Sequence, residues 1–170
     1  MRRLTVSLAI GLTIAAIACK RSPKPGGAGL ELLSVVRMDD SRGAAQLLSG
    51  FYSPEDHSWR WTAGKFSAEL KPPPGAGQNG ARLELKLNLP DVVVQQLGAI
   101  TLSASAGGAR LTPEKFTEAG NYVYAADVPA SALGRDSVTV EFSTDKAIPP
   151  GKVETRELGL IVTSVGLVAK

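Results

Sequence analysis

The chain has 170 residues, 44% of them hydrophobic, which suits one domain with its own core and no need of disulfide staples. Its formal charge is +3, from 19 basic and 16 acidic side chains. With one cysteine and one histidine, an internal disulfide and a Cys/His metal cluster are excluded, so no metal and no cofactor are expected.

Met1–Arg3 is basic and Leu4–Ala18 is apolar and uncharged. That run is short of the roughly 20 residues of a membrane span and has the parts of a secretory signal. Residues 1–18 therefore read as a signal-peptide helix. The segment ends Ala16-Ile17-Ala18-Cys19 and resembles the bacterial lipobox, with Ala16 and Ile17 in place of the commoner Leu and Ala or Ser. The resemblance implies cleavage before Cys19 and acyl chains, palmitate among them, on its sulfur and amine. Several chains on one residue anchor stably where a single chain is marginal. An exported protein with one cysteine has no pairing partner for it, which agrees with acylation. Lys20, where Asp would favour the inner membrane, implies the periplasmic face of the outer membrane or the cell surface. The membrane is thus the first expected partner. Without Arg2 and Arg3, 17 basic residues face 16 acidic ones, a net of +1. Nucleic-acid binding then loses its compositional support.

Lys20–Gly29 reads KRSPKPGGAG, a flexible tether in which Pro and Gly break structure and charge solvates it. Leu30–Arg42 holds one apolar cluster and reads as extended linker or as a first strand. Residues 19–43 are assigned to the lipidated cysteine and linker, and 44–170 to the folded domain. From there the hydrophobic period is close to two. Strands are expected over 46–52, 65–70, 82–89, 100–105, about 122–124, 137–142 and 158–168, the last bent at Gly166. Arg82–Leu89 is the strongest, with four leucines on one face and Arg82, Glu84, Lys86 and Asn88 on the other. Pro72–Gly80 reads as a loop that is neither helix nor central strand, and Gly107-Gly108 as a hairpin tip. Asp91–Leu97 is the one helix candidate, capped by Asp91 and crossing between sheets, and Pro129–Leu133 a single turn. These elements give an all-β, antiparallel two-sheet sandwich, jelly-roll-like, with an immunoglobulin-like order as the alternative.

The chemically useful residues crowd into Phe51–Thr62, which holds both tryptophans, the histidine, Tyr52, Glu55 and Arg60. On a strand, Trp59 and Trp61 point to one face and Arg60 to the other. Exposed aromatic rings stack on sugar rings while Arg and carboxylates bond hydroxyls. The competing reading makes the two rings a plug for one end of the core, since Trp is mostly buried. Glu154–Gly159 is a second cluster. Arg60 and Arg156 read either as ligand contacts or as members of an ion-pair network linking Arg60 to Glu157 or Glu55. His57, beside Glu55 and Asp56, has no sequence pattern of a catalytic base around it, and no hydrolase or phosphate-loop motif occurs. The chain is read as a non-enzyme. Asp127, Asp136 and Asp145 form no calcium-loop run and read as solvated loop acids.

Phe51-Tyr52-x-x-Glu55, then Trp59-Arg60-Trp61-Thr62, then Arg156-Glu157-Leu158-Gly159 before a closing apolar strand, resemble a β-sandwich domain appended to bacterial glycosyltransferases and cell-surface polysaccharide proteins. The likeness spans Leu47 to Val168, without a transferase domain. It implies a jelly-roll-like module with a carbohydrate role and brings no catalytic residues. The resulting expectation is a lipid-anchored envelope module that binds carbohydrate through Trp59, Arg60, Trp61, Tyr52, Glu55 and Arg156. Its rival is a structural lipoprotein that binds an envelope protein.

Overall fold

The computed structural model describes residues 31–170; the signal segment, Cys19 and the tether lie outside the described residues. Ten strands form two antiparallel sheets. They are β1 (Val35–Arg37), β2 (Leu47–Phe51), β3 (Arg60–Leu70), β4 (Ala81–Leu89), β5 (Ile100–Ala106), β6 (Ala109–Arg110), β7 (Glu114–Phe116), β8 (Gly120–Val128), β9 (Val138–Thr144) and β10 (Ile161–Ala169). One sheet runs β1-β10-β4-β8 and the other β2-β3-β9-β5, with β6 and β7 on the far edge of β5. The first residues of β3 also pair with β10, through Trp61↔Ile161 and Arg60↔Val162, and so join the sheets at one corner. β3, β4 and β5 alternate between sheets, and β8, β9 and β10 do the same. This is the doubled Greek-key order of a jelly roll, with β2 added at an edge. The immunoglobulin-like alternative is thereby set aside.

The period-two pattern has the expected cause. On β4 every odd position, Ala81 to Leu89, is buried, and the even positions face outward. Leu83, Leu85 and Leu89 are wholly inaccessible. Opposite them lie Phe66, Phe142 and Leu70 from the other sheet's inner face. Phe66 stacks on Phe142 at 4.9 Å and meets Phe51 edge-on at 5.2 Å. These separations and orientations are the favoured ones for aromatic pairs.

Several expectations need correction. The segment read as linker or strand is β1, and Val36 is fully buried against β10. The sandwich thus takes in residues from the mid-thirties, and a boundary at residue 44 falls too late. Ser41–Gln46 forms a short 3-10 turn. Within the proline-rich loop, Ala76–Asn79 closes one α-turn, α1, because Gly75 and Gly80 at its ends take positive φ and let the chain enter and leave. The helix α2 (Asp91–Leu97) carries the chain from β4 across to β5, but the residue at its cap position is Pro90, and Asp91 sits in the first turn. β10 is irregular between Val162 and Ser164, not at Gly166, so the side chains switch faces there. Gly166 has another role: a Cβ on it would come within 2.7 Å of the Val35 side chain, and its absence lets β1 lie close on the sheet.

Candidate functional site

Glu55 opens a tight hairpin. Its N–H donates to the Trp59 carbonyl at 2.9 Å, and Ser58 N–H returns to the Glu55 carbonyl at 3.1 Å. Asp56 and His57 make the reversal with φ of 48° and 53°. Aspartate and histidine are among the non-glycine residues that tolerate this left-handed region. Glu55 and Trp59 thus face each other across an antiparallel bridge.

β3 then sorts its side chains by parity. Thr62, Gly64, Phe66, Ala68 and Leu70 point inward, which turns Trp61 outward. Trp61 pairs with Ile161, Ile161 with Asn88, and Asn88 with Asn121. On the other side the Tyr52 N–H donates to the Trp61 carbonyl at 3.0 Å. One row therefore crosses five chain segments on the outer face: Tyr52, Trp61, Ile161, Asn88, Asn121. At its far end the Asn88 amide donates to the Asn121 carbonyl oxygen at 3.0 Å. Both tryptophans are half-buried. Trp61 packs on the margin of the core, so its ring is part floor and part surface.

Beside this row runs a trough. Ser58 at the hairpin, Arg37, Asp39, Lys86, Thr163 and Ser164 enclose about 260 Å³. Arg37, Lys86 and Ser164 also line the next depression, about 220 Å³, with Val35, Glu84, Gly166 and Val168. The β10 irregularity puts Thr163 and Ser164 in the trough, and Ser164 and Gly166 are too small to fill it. These residues come from β1, β4 and β10, far apart in sequence, and sequence reasoning did not assemble them. Only the outward register of Lys86 and Glu84 was visible.

Tyr52, Glu55 and Arg156 are brought together. The Arg156 guanidinium lies over the Tyr52 ring, 5.2 Å from its centre. Its Nη1 donates to Glu55 at 2.9 Å and its Nη2 to Glu154 at 2.8 Å. Hydrogen bonds from the Arg156 side chain, then from its backbone N–H, hold the Glu154 carboxyl at about 2. The bonds to Glu154 and Glu55 raise Arg156 in turn. A carboxyl depressed in the folded state contributes stability above its ordinary value and loses it as pH falls toward the folded value. The stability contributed by the Glu154–Arg156 pair is expected to be complete above the carboxyl's ordinary 4.5 and to be lost between there and about 2, where the Glu154 carboxyl takes up its proton in the folded protein and the bond opens. The Arg156 Nε–H signal by NMR reads this directly, and a resonance unchanged down to pH 2 would refute it.

Arg60 stands apart. It has the inward parity of β3, and its Nη1 donates to the Tyr52 carbonyl at 2.8 Å. Its Nε is buried without a partner, and burial pushes the guanidinium below its ordinary value. The network linking Arg60 to Glu157 or Glu55 does not form. Glu55 is taken by Arg156, and Glu157 accepts the Gly64 N–H at 3.2 Å. The backbone of β3 separates Arg60 from both tryptophans. Among the described residues no three His, Cys, Asp or Glu side chains gather as metal ligands.

No protein-family model matches the chain. No curated protein matches it either. Among solved structures it is similar to TmCBM27, a carbohydrate-binding module described for specific mannan recognition, with 13% identity and a TM-score of 0.47, over 80% of this chain and 95% of that one. It is also similar to BtGH115A, a family GH115 4-O-methyl-α-glucuronidase with specificity for decorated arabinogalactans. There the identity is 10% and the TM-score 0.44, over 95% of this chain and 20% of that one.

Proposed function

We propose that the protein is a lipid-anchored envelope module that binds a polysaccharide on the outer face of the β1-β10-β4-β8 sheet, without catalysing a reaction. The observation that carries this reading is the outward row of Tyr52, Trp61, Ile161, Asn88 and Asn121 beside the Arg37–Lys86–Ser164 trough. Aromatic rings give sugars an apolar platform, and paired amides, serine and charged groups bond hydroxyls around it. Ser58, next to Trp59 in the hairpin, lines the trough, and the Arg156 guanidinium lies over the Tyr52 ring. In this assignment Trp59, Trp61 and Tyr52 touch the ligand, Glu55 and Arg156 position Tyr52 and the hairpin, and Arg60 holds the Tyr52 backbone through its carbonyl. The resemblance of these same segments to domains of polysaccharide proteins points the same way. The protein-docking alternative asks for a contiguous exposed apolar surface, but the exposed large apolar residues among those described are Val35, Leu48, Val92, Val123 and Val153, on different elements.

The orientation also favours the reading. Glu31 pairs with Lys71 just past the end of β3, while Trp59 precedes its start. The length of β3 sets these points roughly 33 Å apart. An acyl group on Cys19 would tether the domain through the chain end at Glu31, the pole opposite the tryptophans. Cys19→Ser should release the protein from the membrane fraction, and its retention there would refute the anchor. Titration of the protein with a panel of envelope polysaccharides, followed by tryptophan emission and acrylamide quenching, tests the site. A blue shift with protection by one polysaccharide is expected. Emission indifferent to every polysaccharide would overturn the reading.

A further inference from the structure

The outer face of the other sheet carries a separate depression of about 500 Å³. That is within the size range of small-molecule sites. Its floor is set by register: Ser103 pairs with Ser143 and Ser143 with Lys65, while Ser105 pairs with Glu141. The Ser105 hydroxyl donates to Glu141 at 3.0 Å. Its wall is a strap. After the Gly107-Gly108 tip the chain turns back on β5 as β6, keeps one more ladder bond from the Leu111 N–H to the Ala104 carbonyl at 2.9 Å, leaves the ladder at Thr112-Pro113 and rejoins it as β7. Proline can donate nothing to the ladder, so the strap stands off the sheet opposite Ser103.

The strap is held from beneath. Tyr124 on β8, across the core, is 1% exposed, and its hydroxyl donates to the Thr112 carbonyl at 2.8 Å. Burial, and secondarily the charge of Glu114, raise this phenol to about 12, so it stays a donor. A buried hydroxyl fixed on one loop carbonyl makes the wall a preformed feature. Arg110 at the strap's start and Lys65 on the floor face the depression, and neither is in an ion pair among the described residues. Two cations, one carboxylate and three serine hydroxyls place a net positive set of polar groups around a recess whose remaining lining, Ala104, Leu111, Pro113 and Phe142, is apolar.

We propose that this recess is a second binding site, for a single hexuronate residue, on the sheet opposite the tryptophans. Arg110 and Lys65 take the ligand carboxylate, and Glu141, Ser103 and Ser143 take ring hydroxyls. A charge-assisted bond is roughly twice as strong as a neutral one, so the carboxylate selects the ligand.

The test is an NMR titration of the protein with glucuronate and, separately, with glucose. Glucuronate is expected to shift the Ser103, Ser105 and Ser143 amides and to bind at least about tenfold more tightly than glucose, the difference expected of one such bond. Arg110→Gln and Lys65→Met should each weaken glucuronate by about tenfold or more, and Tyr124→Phe should weaken it with Thr112 shifting in the unliganded protein. Equal affinity for the two sugars, or affinity unchanged in both cation variants, would overturn the assignment. Shifts confined to the Trp59 and Trp61 indoles would overturn it too while leaving the tryptophan face as the glycan site. Failure of the polysaccharide titration leaves this test intact, because the two sites share no residue.

Discussion

Phe66→Ala is expected to remove about 3–5 kcal/mol of stability. Phe66 is 2% exposed and sits between two rings, stacked on Phe142 and edge-on to Phe51, so its loss leaves a cavity that neither neighbour fills without leaving its own rotamer. Phe66 and Phe142 are also cross-strand partners, so backbone collapse into the gap would break the β3–β9 ladder. For a domain of this size the midpoint of thermal unfolding should fall by roughly 10–20 °C. Phe51 is only half-buried, and alanine there should cost clearly less. Thermal melts followed by circular dichroism decide it, and a Phe66→Ala midpoint within a few degrees of the parent would show that the stack is not the centre of the core.

What the sequence disclosed follows from where one face is buried over a long enough run. Arg82–Leu89 alternates through eight residues, and its strand and facing are legible at once. β3 was visible only from Lys65, because Ala63 and Gly64 interrupt the alternation with residues of little hydrophobic contrast, although the strand begins at Arg60. β1 is three residues long, too short for a period to register, and its burial comes wholly from β10. α1 was hidden because glycines signal a loop whether or not they bracket a turn of helix. The site divides in the same way. Trp59, Trp61, Tyr52 and Glu55 were legible as a local cluster, since one hairpin holds them. Arg156 was recognised as a candidate, but its partner was not, because 101 residues separate it from Glu55. The assumed role of Arg60 failed on parity: the alternation that turns Trp61 outward turns Arg60 inward. The trough needed the β1–β10–β4 register and the irregularity at Val162–Ser164, neither of which leaves a local trace.

Replacing both tryptophans by alanine is expected to abolish polysaccharide binding while the fold persists. An aromatic anchor at the centre of an interface contributes about 2 kcal/mol or more when truncated, roughly thirtyfold in affinity. The two single variants should differ. Trp59 sits on the hairpin outside the set of residues packed on the core, so Trp59→Ala should lose affinity with little change in melting temperature. Trp61 packs on the core margin and is paired with Ile161, so Trp61→Ala should lose affinity and stability together. Trp61→Phe separates these effects: a smaller ring keeps much of the packing but offers a narrower platform, so stability should recover further than affinity. Calorimetric titration with the polysaccharide that shifts the tryptophan emission, set beside thermal melts, reads both quantities on each variant. If Trp59→Ala binds like the parent, the hairpin is only a cap on the sandwich. If Trp61→Ala loses stability but keeps affinity, the ring is floor rather than contact. The trough would then have to bind the chain through Arg37, Lys86 and Ser164, with Arg37 already paired to Asp39 at 2.8 Å.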